Sequence, residues 1–159
     1  MRTEKITWFL DLAQRCAQQG TCLRRNYGVV IVDDCNTIVS TGYTGAPSEC
    51  KDCLEIGVCW REKHNIPPGS GYEKCRSVHA EMNALIQAGK KARNGVMYLC
   101  GIDAKTGEIV GHLPCFLCAK MLVNSGMARV IVRQPDGSHT HHTPHEIYEI
   151  GRAKALDDS

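Results

Sequence analysis

A three-layer α/β/α sandwich is the fold class this sequence predicts, on three observations. Amphipathic helical segments alternate with short runs rich in β-branched residues. At 159 residues the chain suits one hydrophobic core better than two. No segment repeats or falls to low complexity. We therefore read residues 1–159 as one domain, with an insertion at about 44–76.

The elements follow in order. Ile6, Phe9, Leu10, Ala13, Cys16 and Ala17 recur at helical spacing, with Thr3 as a cap and Gly20 as a stop. Residues 28–32 and 37–43 are rich in β-branched side chains and flank Asp33, Asp34 and Asn36, which predicts a hairpin turning near Asp34. Residues 44–76 carry Gly, Pro, Cys and charge without a steady period; loops of that length inside compact domains are usually functional or separately stapled. Ser77 can cap a helix running to about Ala88, and 96–100 reads as a strand. After a hairpin or loop at Lys105, Thr106 and Gly107, Pro114 suits the first turn of a helix stopping at Gly126. Residues 129–132 supply another strand and 144–156 a last helix.

Charge is nearly balanced, 19 Lys and Arg against 17 Asp and Glu, so no broad field favours a nucleic-acid backbone or an anionic membrane. A local anion pocket is compatible with this balance. Residues 1–7 contain no apolar signal core, and nowhere do 18 apolar residues run together; a soluble, cytoplasmic protein is expected. Ten cysteines then point to thiolate metal ligands in a reducing compartment rather than to disulfides.

The chemistry concentrates in two places. His79-Ala80-Glu81 falls in the first turn of one predicted helix, and Pro114-Cys115-Phe116-Leu117-Cys118 opens another about 35 residues further on. Cysteines at i and i+3 share one side of a helix, so Cys115 and Cys118 can reach one ion, with His79 as the third ligand. The fourth position stays open for water, which zinc acidifies toward neutrality. Helix N-termini favour both the thiolates and developing negative charge. Glu81 lies too close to His79 to ligate comfortably from the same turn, but near enough to act on that water as base and then acid. Alone, a His-x-Glu is usually surface decoration, and a Cys-x-x-Cys is ambiguous among redox, metal and core roles. Together and in this order they are the signature of zinc nucleobase deaminases.

With these motifs the sequence resembles the cytidine and deoxycytidylate deaminase superfamily, most closely its deoxycytidylate (dCMP) deaminases, over roughly residues 12–134. The resemblance extends to Cys22-Leu23-Arg24-Arg25-Asn26-Tyr27-Gly28, to Ser40-Thr41-Gly42-Tyr43-Thr44-Gly45-Ala46-Pro47 and to His79-Ala80-Glu81-Met82-Asn83-Ala84. It implies a central mixed sheet with the two zinc helices against it, one catalytic zinc, and hydrolysis of dCMP to dUMP and ammonia. It also implies a homo-oligomer regulated by a nucleoside triphosphate effector. Carried onto this chain, the substrate-binding positions are Arg24, Asn26, Thr44 and Ala80, with Arg24 near a phosphate and Arg25 pointing the other way. The family usually has Asn where this chain has Thr44, so a hydroxyl replaces an amide there.

Cys50, Cys53, Cys59 and Cys75 fall in or beside the insertion and suffice for a second, structural zinc; the alternative is four free thiols, some buried as small apolar groups. Cys16, Cys35 and Cys100 are assigned to packing, and the segment from His139 to His145 to a solvated loop.

Two other functions compete. A tRNA or other nucleic-acid base deaminase would share both motifs, but the small positive excess and the acidic end from Ala155 to Ser159 disfavour nucleic acid. Nucleoside-level cytidine deaminases usually present Cys at the position of His79, and the bifunctional riboflavin-pathway enzymes space their cysteines further apart. A non-catalytic zinc scaffold would close the fourth position and have no use for Glu81.

Overall fold

The computed structural model describes residues 1–157; the last two residues of the acidic end, 158 and 159, lie outside the described residues. In chain order the elements are α1 (Lys5–Ala17), β1 (Arg25–Val32), β2 (Ile38–Tyr43), α2 (Cys53–Ile56), α3 (Trp60–Lys63), α4 (Ala80–Ala88), β3 (Val96–Asp103), β4 (Ile109–Val110), α5 (Phe116–Asn124), β5 (Arg129–Arg133), β6 (His139–His142) and α6 (Pro144–Asp157). The sheet runs β2-β1-β3-β5-β6, with β4 paired to β3 off that path. β3 and β5 are parallel and the other pairs antiparallel, so the sheet is mixed.

Alternation along the strands builds the layers. Val29, Ile31, Met97, Leu99, Val130 and Val132 pack to one side with Ala80 and Ala84 of α4, Ala119 and Leu122 of α5 and Ile147 of α6. Val30, Val32, Tyr98, Cys100 and Ile131 go to the other side, against Phe9, Leu10, Ala13 and Ala17 of α1. The result is the three-layer α/β/α sandwich that the alternation of elements predicts.

Two glycines set how closely the layers approach. A Cβ on Gly28 would stand 1.9 Å from the Ala13 carbonyl oxygen, so α1 rests on bare β1 backbone. A Cβ on Gly42 would stand 2.4 Å from the Ala80 carbonyl oxygen, so α4 rests likewise on β2. Side chains then tie α4 in place: Ser40 donates its hydroxyl to the Ala84 carbonyl at 2.8 Å, and Asn83 Nδ2 donates to the Tyr43 carbonyl at 2.9 Å.

Several boundaries differ from the sequence-based expectation. α1 is capped by Glu4 rather than Thr3, because the two Glu4 carboxylate oxygens accept from the Ile6 and Thr7 amides at 2.9 Å each. α4 starts after His79 rather than Ser77, because Val78 and Gly45 exchange both backbone hydrogen bonds, at 2.7 and 3.2 Å, and hold residue 78 extended. Pro114 precedes the cap of α5, which is Cys115. The histidine segment expected to be a solvated loop is in part β6, paired with β5 from Val130–His142 to Arg133–His139. An edge strand needs only backbone partners, so its polar side chains hid it. Cys35, expected in packing, is exposed. The 44–76 segment holds α2, α3 and a 3₁₀ turn at Tyr72–Lys74, and so is less irregular than expected.

Candidate zinc centre and its cleft

The two helices on one face of the sheet bring their N-termini together. His79 caps α4 and Cys115 caps α5, and the Cys115 sulfur accepts from the Cys118 amide at 3.5 Å. His79 Nδ1 lies 3.4 Å from each sulfur. Tetrahedral zinc with ordinary Zn–N and Zn–S bonds would separate its nitrogen and sulfur ligands by about 3.5 Å. The donor set therefore fits zinc in both chemistry and spacing.

Electrostatics agree. Cys115 is pushed down to about 4, first by its hydrogen bond with Cys118 and then by His79, while Cys118 is pushed up in return by Cys115 and by burial. One sulfur is thus ready to ionise, and the second needs a cation beside it to follow. Burial works against the imidazolium of His79, but the hydrogen bond to Cys115 and the Glu81 charge more than offset it. Glu81, 5% exposed, has its carboxyl held above the usual range by burial, with His79 pulling the other way.

His79, Glu81 and Cys115 line a cleft of about 1360 Å³ together with Tyr27, Thr44, Arg61, Tyr72 and His112, with Cys118 buried behind them. Tyr72 meets the His79 ring edge-on, with centroids 5.0 Å apart, and the Arg61 guanidinium lies 4.6 Å from the Tyr72 centroid. Burial pushes Tyr27 up to about 12, so its phenol stays protonated beside the cleft.

The structure sorts the expected substrate positions. Arg24 lines the cleft, with Nε 3.5 Å from a Glu62 carboxylate oxygen. Arg25, expected to point away, lines it too, its Nη1 3.4 Å from His112 Nδ1. Strand alternation does not separate the two, because β1 begins only at Arg25. Thr44 is buried in the cleft wall, where its hydroxyl oxygen accepts from the Tyr27 amide at 3.0 Å. Asn26 is not among the cleft-lining residues; its amide closes the preceding loop onto the Cys22 backbone at 2.9 and 3.0 Å. Ala80 is fully buried in the core and lines no part of the cleft.

The insertion cysteines divide. Cys50 is exposed and outside the cleft, whereas Cys53, Cys59 and Cys75 line it together with Cys22. Burial raises Cys53, a hydrogen bond with Ser77 pulls the other way, and the neighbouring Cys22, Cys75 and Cys59 raise it further. Among the described residues, no three of these sulfurs lie within 4.8 Å of one another. Arg61, Tyr72 and His112 carried no signal in the sequence, since none sits in a motif or in a periodic segment that points to the cleft; Tyr27 lies in the 22–28 segment but was given no role there.

An α/β/α sandwich with a His-Cys-Cys donor set and a buried glutamate two residues from the histidine defines a zinc-dependent deaminase. Residues 3–134 match the model of the cytidine and deoxycytidylate deaminase zinc-binding region, and the chain belongs to that family. It is 32% identical over 129 residues to the deoxycytidylate deaminase of Mycobacterium phage D29, covering 78% of this chain and 90% of the phage protein. It is 31% identical over 136 residues to the deoxycytidylate deaminase of Saccharomyces cerevisiae, covering 84% of this chain but only 39% of the yeast protein. For the Schizosaccharomyces pombe deoxycytidylate deaminase, 28% identical, the chain spans 35% of the relative's length. The fold matches that of the cyanophage S-TIM5 dCMP deaminase solved with dCMP and dUMP, with a TM-score of 0.57, 23% identity and coverage of 82% and 81%. Among the described residues no helix is long and apolar enough to cross a membrane.

Proposed function

We propose that this chain hydrolyses the exocyclic amine of a cytosine nucleotide, converting dCMP and water to dUMP and ammonia. The observation that carries the reading is the buried Glu81 carboxyl beside a His79-Cys115-Cys118 set spaced for zinc. Bound zinc supplies Lewis acidity, which makes water at the site a nucleophile near neutral pH. Glu81 accepts a proton from that water and delivers it to the pyrimidine ring nitrogen as the water oxygen bonds to C4; it then takes the remaining proton of that oxygen and passes it to the amine, so that the C4–N bond breaks and ammonia leaves. Burial raises the Glu81 pKa, which makes the carboxylate a stronger base toward that water.

The choice of dCMP is supported by the relatives named deoxycytidylate deaminase and by arginines in the cleft. The same reading includes a homo-oligomer and a triphosphate effector, in the reducing cytoplasm where thiolates persist. Ammonia release from dCMP, CMP, dCTP and deoxycytidine tests the substrate. We expect dCMP to lead; equal rates on dCMP and deoxycytidine would remove the nucleotide from the reading. Metal analysis tests the zinc centre, with one zinc per chain expected on His79, Cys115 and Cys118, and none overturning it.

A further inference from the structure

Arg61 is a buried cation that the fold leaves without a counter-charge. It is 4% exposed, on the short helix α3. Its Nη2 donates to the Pro67 carbonyl at 2.7 Å, while Nε and Nη1 have no hydrogen-bond partner. Among the described residues, no carboxylate oxygen lies within 4.0 Å of it. Stripping water from a guanidinium without replacing it is strongly unfavourable, and a fold keeps such a group where a ligand completes it.

The position suits an anion at a set distance from the zinc centre. Arg61 lines the same cleft as His79 and Glu81, and the Tyr72 ring contacts both the guanidinium and the ligand imidazole, at 4.6 and 5.0 Å from its centroid. A base held at the zinc would extend its sugar and 5′ substituent along that wall. Arg24, the cation that sequence favours, already faces Glu62, and Arg25 faces His112. We propose that Arg61 receives the 5′-phosphate through its free N–H groups, with the half-buried Tyr72 ring yielding to admit it, and so sets the preference for nucleotide over nucleoside. This rests on the reading of the cleft as a cytosine-nucleotide site.

The test compares wild type, Arg61→Gln and Arg61→Lys. Charge-assisted hydrogen bonds to a phosphate contribute about 10–150-fold, so the ratio of kcat/KM for dCMP over deoxycytidine should fall by that factor in Arg61→Gln, with zinc content kept. Arg61→Lys keeps the charge but loses the fork, and should fall less. A purely structural role would lower both substrates alike, and an unchanged ratio in Arg61→Gln overturns the proposal. Should Arg61→Gln fail to fold, an unchanged ratio in Arg61→Lys, with inhibition by inorganic phosphate also unchanged, overturns it instead. If wild type releases ammonia from neither substrate, the proposed function fails separately. Calorimetry with inorganic phosphate then decides Arg61: binding to wild type that disappears in Arg61→Gln supports it, and equal or absent binding overturns it.

Discussion

His79 and Cys115 each cap a nine-residue helix pressed onto the sheet through alanines. Arg61 and Tyr72, on the opposite wall, sit on helical turns of four and three residues within the 44–76 segment, which lends no strand to the sheet. The zinc donor set thus rests on helices packed directly against the buried core. The groups that face the rest of the substrate rest on a segment that can change without disturbing that core. Under the proposed function, the core side of the cleft would supply the chemistry and the 44–76 side the choice of molecule.

The predictions probe this division. The largest effect should come from Cys115→Ala, which removes a ligand from the core side: zinc should be lost and turnover abolished, as read by metal analysis and ammonia release. Full zinc with full activity would move the metal site elsewhere. Glu81→Gln should keep its zinc while turnover falls by at least about 10²–10⁴-fold, the usual contribution of a general acid-base group. Near-normal turnover would end the proton-carrier assignment. Thr44→Val leaves the Tyr27 amide without its acceptor, and should destabilise the protein by about 1–3 kcal/mol in urea denaturation. No change in the midpoint would show that the hydroxyl has a different task. The smallest effect belongs to Arg24→Ala, since an exposed pair with Glu62 contributes about 0–1 kcal/mol. A loss of nucleotide preference larger than that of Arg61→Gln would return the phosphate to Arg24.

The same division explains what could be read from sequence. Cys115 and Cys118 were legible because two ligands on one helix turn keep an i, i+3 spacing that survives in one dimension, and His79 and Glu81 because they stand together at the start of another helix. The strands of the core were legible through their runs of β-branched residues, which the structure buries almost continuously. β6 was not, because an edge strand of His and Thr buries little apolar surface and takes its stability from backbone pairing. Asn26 lay beside a family-like segment, yet its amide serves the loop at Cys22; proximity in sequence does not say which way a side chain points. Arg61 was invisible for the opposite reason. Its burial is created by Tyr72 and Pro67 folding over it, and nothing local in Trp60-Arg61-Glu62 announces that.

The central claim, that this cleft is a zinc-dependent deaminase site, is tested most directly by ammonia release from dCMP before chelation, after chelation and after zinc is restored. The account predicts one ammonia for each dUMP formed, loss of both on chelation, and their return with zinc. A chain that carries zinc on His79, Cys115 and Cys118 yet releases no ammonia from dCMP, CMP or dCTP would contradict it.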